Sequence, residues 1–522
     1  MHRSTSRGPL TVLTLFAIAL ALWTTSAGGV AAQAPAAPTF AAIDAHIERQ
    51  MRELRIPGLA LAIVQGDQVV HLKGFGVAGP EGRAVTGQTP FKIASIAKPM
   101  TGVAAMQLVE AGKLELDAPV QHYLPWFRVA DPAASAQITP RHLLYHTSGL
   151  PTLVGITYAL TGDARSDALE ARVRELATVQ LSRPPGQAYE YSNAGYIVLG
   201  LLVQEISGQP FEQYMAEHVF GPLQMRQTFT DWEEAQRHGA AIGHRFWFGQ
   251  PVPGQLPVDR ASVPAGAHLA ASAEDVAHFL VAQLNGGRFG QAAILSPEGI
   301  ATMQRPVIPT ADASGWYAMD WGAFPLGGEP ALLKGGDMTD TKSQVVLLPE
   351  RRLGLVVLMN ANRGLHAQLG DIRLPALAYN AAELLAGQEP TTFPVSPVPT
   401  LLYAAVLVAV VLQAAGMART VVLLRRWRGE PERRPQTRAQ RGLRLWLPLL
   451  LNLGWGAVAL LGVPALIGLP FEFGLYIAPD LFSVLLVSGV VAIGWAIVRS
   501  VLIWRIARTR PAAGVVTVLD PA

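Results

Sequence analysis

Ser95-Ile96-Ala97-Lys98 sets a hydroxyl and an amine three residues apart. On a helix that spacing puts both on one face, one turn from each other. Pro99 supports a helix that begins here, because proline is tolerated near a first turn and not in an interior. A serine hydroxyl is a weak nucleophile until a neighbouring base takes its proton, and an amine kept from water has the lowered pKa that this task needs. Lysine usage sharpens the signal. Of 41 basic residues, only Lys73, Lys92, Lys98, Lys113, Lys334 and Lys342 are lysines. Arginine fills nearly every position that needs only charge, whereas lysine can release its proton when buried.

Two further groups could share that chemistry. Tyr191-Ser192-Asn193 follows Pro184-Pro185-Gly186 and precedes an apolar run from Tyr196 to Val203. A phenol aimed at Ser95 can shuttle protons if Lys98 and a second cation lower its pKa, and the Asn193 amide two residues on can orient a substrate carbonyl or amide. Lys334-Gly335-Gly336 stands just before the last pair of strand-like runs. Its glycines allow a substrate or a backbone to approach an edge strand closely, and the amides of Asp337 and Ser95 would make an oxyanion site. Each group also has a plainer reading, as a chance spacing, a turn into a helix or a glycine turn. His142 and His146 are spaced for one helix face, but no carboxylate completes a zinc set, so no metal or cofactor is expected.

The elements that must position these groups follow from periodicity. Ile43, Ile47, Met51 and Leu54 carry helical spacing, which Pro57-Gly58 ends. Leu59 to Val64 and Val69 to Val77 read as a hairpin across Gln65-Gly66-Asp67, and Gln344 to Leu348 and Leu353 to Met359 as another across Pro349 to Arg352. The text from Ile96 to about Asn285 is mostly helical. One sheet built from both ends, with a helical body inserted between them, is the simplest arrangement.

The composition says where this body sits. Half of the 522 residues are hydrophobic and 15% are charged, against about 25% charged in an ordinary soluble domain. With no cysteine, disulfides, thiolate nucleophiles and sulfur-bound metals are excluded. Met1-His2-Arg3 and Arg7, the apolar run Leu10 to Trp23 and the small residues through Ala32 form a signal peptide with cleavage expected near Ala32. Leu401 to Leu424, Leu445 to Leu469 and Leu481 to Val498 are each long enough to cross a bilayer. Arg425 to Arg444 holds eight arginines and two glutamates, and Arg499, Arg505, Arg508 and Arg510 accompany the third run. The positive-inside rule puts both clusters in the cytoplasm, leaving the link Pro470 to Asp480 outside with the N-terminal body. The basic excess is confined to one segment, so nucleic acid is not expected as a partner.

In this order, the three groups resemble the penicillin-recognising serine hydrolases: class C β-lactamases, DD-peptidases and related esterases and D-amino-acid peptidases. Similar text runs through Gly112-Lys113-Leu114 to Tyr123-Leu124-Pro125, Thr139 to Pro151 (with His-Thr-Ser-Gly-Leu-Pro), Phe220 to Met225 and Val263-Pro264-Ala265-Gly266. The resemblance covers about Ile43 to Ala386. It implies an α+β fold, a mainly antiparallel sheet flanked by helices with an inserted helical subdomain, followed here by three transmembrane helices. It also implies Ser95 as nucleophile, Lys98 and Tyr191 as proton-handling pair, and Asn193, Lys334, Gly336 and Asp337 as substrate-binding residues. Expected boundaries are a signal peptide at 1–32, a hydrolase domain at 39–390, a linker at 391–400, a membrane region at 401–510 with its basic loop at 425–444, and a cytoplasmic tail at 511–522. The expected function is an extracytoplasmic, inner-membrane serine hydrolase cleaving an amide or ester, as a peptidase, through an acyl-enzyme. The expected partners are a small peptide, ester or β-lactam-like substrate and the lipid bilayer. The alternatives are a class C-like β-lactamase or DD-carboxypeptidase, and a ligand-acylated receptor signalling through the helices. Two departures bear on substrate choice. Gly335 replaces a threonine or serine common in relatives, and Asp337-Met338-Thr339-Asp340 replaces glycine-rich text. Asp337 and Asp340 facing the substrate would disfavour an acidic acyl portion and favour a cationic or neutral one.

Overall fold

A computed structural model describes residues 40–254, 257–310, 314–435, 437–468 and 470–508. The expected signal peptide and the C-terminal tail lie outside the described residues. The chain begins with α1 (Phe40–Leu54), then the hairpin β1 (Gly58–Gln65) and β2 (Gln68–Gly76). The inserted body carries α2 (Ala97–Glu110), α3 (Thr152–Thr161), α4 (Asn193–Ser207), the small hairpin β3 (His244–Trp247) and β4 (Gln250–Pro253), and α5 (Ala273–Leu284). Six strands follow that rejoin the main sheet: β5 (Ile308–Pro309), β6 (Trp316–Tyr317), β7 (Gly322–Leu326), β8 (Glu329–Asp337), β9 (Lys342–Leu348) and β10 (Leu353–Met359). After them come β11 (Ala361–Asn362), α6 (Gly364–Gln368) and α7 (Arg373–Leu385).

Among the described residues the main sheet has eight strands in the order β2-β1-β10-β9-β8-β7-β6-β5, every pair antiparallel. The two ends of the domain meet where β1 pairs β10, Leu59 opposite Met359 and Gln65 opposite Leu353. Every residue of β9 and β10 is buried, as expected of central strands covered on both faces. One face packs on α1 and α7 through Ile43, Ile47, Leu61, Val357 and Leu377. The other packs on α5 and the helical body through Ala60, Val345, Val356, Phe279 and Leu280. Both expected hairpins are present. Lys334-Gly335-Gly336 lies inside β8 rather than in a turn before it, and β7 ends its pairing with β8 at Leu333. The edge of β8 from Lys334 to Asp337 therefore extends past its neighbour β7.

C-terminal to the domain run α8 (Val398–Gly429), α9 (Arg438–Ala457, continuing to Ile467), the short α10 (Phe471–Ile477) and α11 (Pro479–Arg508). Three of these are long and apolar enough to cross a membrane. At 1.5 Å per residue α8 is about 48 Å long, enough to exceed the hydrocarbon layer. Gln413, Trp455 and Ser488 tie the three together: Trp455 Nε1 donates to Ser488 Oγ at 2.7 Å, and Ser488 Oγ to Gln413 Oε1 at 2.6 Å. The stretch expected as a plain link between the second and third runs contains α10, whose Phe471 packs on Phe482.

Candidate active site

Ser95 lies in a single 3-10 turn, Ala94–Ile96, that runs directly into α2. Ala94 has φ +49°, a left-handed conformation that costs an L-residue free energy and persists where the surroundings enforce it. Ser343 Oγ of β9 donates to Ile93 O at 2.6 Å, and Ile93 N to Leu269 O at 3.0 Å. A Cβ on Gly336 would lie 2.3 Å from Ile93 O, and one on Gly266 would lie 2.0 Å from Ala94 O. Gly336, expected to serve substrate, thus has a structural reason to be glycine: it lets β8 close onto the turn that presents Ser95.

Lys98, one turn into the helix, is fully buried; its Nζ lies 2.8 Å from Ser95 Oγ and donates to Ala265 O at 2.6 Å. Burial, and next the Lys334 ammonium, push Lys98 well below the usual lysine range. A neutral amine at this distance can take the Ser95 proton. Tyr191 OH donates to Ser95 Oγ at 2.7 Å from the opposite side. Its ring lies between the two amines, 4.9 Å from Lys98 Nζ and 5.1 Å from Lys334 Nζ. The expectation that these cations lower the phenol's pKa is corrected: burial, then the Asp320 carboxylate, push Tyr191 well above its usual value. The resting site therefore holds a neutral phenol beside a weakened amine base.

Behind Tyr191 stands a group that the sequence reading did not find. Lys334 Nζ donates to Asp320 Oδ1 at 2.7 Å, Tyr317 OH to the same oxygen at 2.7 Å, and His146 Nε2 lies 3.2 Å from it. Ser192 N donates to His146 Nδ1 at 3.1 Å, which leaves the ring's proton on Nε2 and aims it at Asp320. Burial holds His146 down to about 4. Burial alone would raise Asp320, but Lys334 and His146 outweigh it and hold the carboxyl below its usual range. His146 (φ +54°) and Asp320 (φ +65°) both occupy left-handed positions. The helix Pro140–Leu144 ends before His146, so His142 and His146 share no helix face, and His142 instead serves the capping box of that helix with Thr139. Among the described residues no group of three His, Asp or Glu is placed to hold a metal ion.

The cleft in front of Ser95 has a volume of about 930 Å³ and is lined among others by Tyr191, Asn193, Lys334, Asp337 and, from α10, Phe473 and Ile477. Asn193 opens α4, and its Oδ1 is buried without a hydrogen-bond partner, leaving an acceptor for a substrate N–H. Asp337 Oδ2 is paired with Lys342 Nζ at 2.6 Å. Asp340 is fully buried and paired with Lys92 Nζ at 3.0 Å. This corrects the idea that both aspartates confront the substrate: Asp340 is absent from the lining and Asp337 is neutralised. At Gly335 a Cβ would stand 2.9 Å from Gln344 Oε1 and 3.7 Å from Lys342 Nζ, so those side chains fill the space of the missing hydroxyl. Glu190 accepts from Thr152 N and Ser182 Oγ and pairs with Arg183, away from Ser95.

An antiparallel sheet backed by helices, with serine, lysine and tyrosine converging at its junction with an inserted helical body, defines a serine-hydrolase scaffold. The Beta-lactamase family profile matches residues 43–380, and the chain belongs to that family of penicillin-binding proteins and β-lactamases. Penicillin-binding protein 4 of Amycolatopsis lactamdurans is 30% identical over 363 residues, 65% of this chain and 93% of its own. Protein flp of Staphylococcus aureus (strain MW2) is 29% identical over 323 residues. That match takes in 61% of this chain and 63% of flp, less than two thirds of its length. Among solved structures, the octameric penicillin-binding protein homologue from Pyrococcus abyssi superposes with a TM-score of 0.58 at 26% identity, covering 69% of this chain and 79% of that one. EstCE1, a hydrolase with promiscuous acyltransferase activity, gives 0.55 at 25% identity, covering 65% and 97%.

Proposed function

We propose that the protein is a membrane-anchored serine peptidase, with its hydrolase domain (39–390) on the extracytoplasmic side, acting on an amide or ester through an acyl-enzyme. The observation that carries this reading is Ser95 Oγ held between Lys98 Nζ at 2.8 Å and Tyr191 OH at 2.7 Å, with the amine's pKa depressed. Ser95 Oγ attacks the substrate carbonyl as its proton passes to Lys98, and the oxyanion is met by the amides of Ser95 and Asp337. The proton then moves through Tyr191 to the leaving nitrogen or oxygen, the scissile bond breaks and the acyl group remains on Ser95. Water attacks that ester, returns a proton to the Lys98–Tyr191 pair, and releases a carboxylic acid with Ser95 restored. Asn193 orients the substrate amide, and the Lys334–Asp320–His146 assembly fixes the charge beside the phenol.

A second reading, a class C-like β-lactamase or DD-carboxypeptidase, is favoured by Lys342, whose ammonium stands near Gly335 where a substrate carboxylate would need a cation. Its pairing with Asp337 weakens that attraction, which supports the peptidase. The test is labelling of the full-length protein with a fluorescent alkyl phosphonate, beside turnover of penicillin and of D- and L-amino-acid amides. Ser95→Ala is expected to lose labelling and all turnover; labelling that persists in Ser95→Ala overturns the mechanism. Penicillin turnover exceeding that of the amides moves the β-lactamase reading to first place.

A further inference from the structure

The β3–β4 hairpin turns at its tip through Phe248 and Gly249, since Trp247 pairs with Gln250. Both turn residues have positive φ, +47° at Phe248 and +76° at Gly249, the signature of a two-residue type I′ turn. The first position of that turn favours asparagine, aspartate or glycine, and a bulky aromatic in a left-handed conformation is a costly choice. The choice also leaves apolar surface uncovered: Phe248 is 59% exposed and Trp247 beside it 43%.

The tip's position gives this exposure a use. Phe248 N donates to Asp480 Oδ2 at 2.9 Å, at the first turn of α11, and Tyr403 OH, near the start of α8, donates to the other oxygen of Asp480 at 2.9 Å. The tip is thus fastened at the ends of two candidate spans where the positive-inside rule places the outer surface. Below it a groove of about 440 Å³ runs between α8 and α11, bounded by Trp247 and Phe248 above and reaching Met417 and Val491. Val491 is 11 residues past Asp480, about 16 Å along the helix, close to the depth of one bilayer leaflet. Arg55, exposed, donates from Nη1 to Gly249 O at 2.9 Å and sets a cation at headgroup level. Tryptophan and other aromatics at that level are the usual anchors of a membrane-water interface.

We propose that the β3–β4 tip is a second membrane contact, made by the hydrolase domain itself, whose partner is the outer leaflet: Trp247 and Phe248 sit at the headgroup-acyl boundary and a lipid chain fills the groove between α8 and α11. The contact leads into the active site. β3 pairs in parallel with β11, Arg245 beside Asn362, and Asn362 Nδ2 donates to Met338 O at 2.6 Å and Asp337 Oδ1 at 3.3 Å, at the end of the strand that borders the cleft. A leaflet that fixes the tip therefore also fixes the far end of β8.

The inference rests on the membrane-anchored reading, and the chain's lack of cysteine allows the two to be tested apart. Single cysteines replace Phe248, Trp247, Leu407 in α8 and Glu350 at the far end of β10, each carrying an environment-sensitive fluorophore in full-length protein in lipid nanodiscs. The tip probes are expected to emit at shorter wavelength than Glu350→Cys and to lose emission to lipids bearing a shallow doxyl quencher more than to a deep one. Loss of emission at Leu407→Cys with none at either tip position overturns the inference and leaves anchoring standing. No loss at Leu407→Cys overturns anchoring and the inference together. Having two tip positions keeps the test decisive if one variant fails to fold.

Discussion

At the scale of single residues, the site works by setting two amines against each other across a phenol. Lys98 is kept neutral by burial and by the Lys334 charge, while Lys334 keeps an acidic partner in Asp320. In Lys98→Arg the charge remains but the base is gone. Turnover is expected to fall by at least about a hundredfold, the usual worth of general base catalysis. Retention of a tenth of wild-type turnover would show that the proton does not pass through Lys98. The pH dependence follows with its sign. Activity requires deprotonated Lys98, so kcat/KM rises with pH, and the depressed pKa sets that rise well below the pH at which a free lysine titrates. Lys334→Met removes the neighbouring cation and leaves Asp320 without its ammonium, both of which raise the Lys98 pKa. The rising limb is expected to move to higher pH, and a limb that stays in place or moves down refutes the coupling. Ser95, Lys98 and Tyr191 were legible because their types and order are a motif. Asp320 was not: a lone carboxylate between Met319 and Trp321 has no spacing to mark it, and only the fold brings it under Lys334.

At the scale of elements, long alternating runs bounded by turns were legible, which is why both hairpins and the closure of β1 on β10 were expected from sequence. The hairpin of β3 and β4 was not. Four-residue strands rich in aromatics and proline leave too few residues for a period of two to show, and the segment was read as part of the helical body. The helical turn α10 was hidden for the same reason, though it contributes Phe473 and Ile477 to the cleft. The glycines of β8 show what an element does for a site. A methyl on Gly336 would stand 2.1 Å from Ser343 Oγ and 2.3 Å from Ile93 O, and backbone cannot yield as a flexible side chain can. Gly336→Ala must therefore displace β8 or the Ser95 turn. A misplacement near 1 Å costs about a hundredfold in rate. The variant is expected to retain its fold by circular dichroism while losing phosphonate labelling rate on that scale. Wild-type labelling in Gly336→Ala would mean that the close approach does not position Ser95.

At the scale of the whole molecule, the folded domain and the three apolar helices share one boundary. Leu365 of α6 packs with Val406, Leu481 and Phe482, and Gly364 abuts Ile477 of α10. The domain can meet α10 and the starts of α8 and α11 in this way only if those ends lie on its own side of a membrane. The arginines of the α8–α9 connection sit at the other ends, together with Arg499, whose Nε lies 3.4 Å from Thr420 Oγ1. Packing and charge thus assign the same sidedness by separate physics, the first from burial of apolar surface and the second from the cost of carrying arginine across. In the cysteine-free chain, Glu472→Cys and Arg438→Cys report the two sides without inserting a reporter that would break α10 from the cleft. Both positions are exposed. A membrane-impermeant maleimide applied to intact spheroplasts is expected to label Glu472→Cys at once and Arg438→Cys only after permeabilisation. The reverse pattern would put the arginine-rich connection and the hydrolase domain on opposite sides from those argued here. Labelling of both in intact spheroplasts would mean that α9 does not cross, which would leave α10 and the cleft wall it forms without the anchor on which their placement depends.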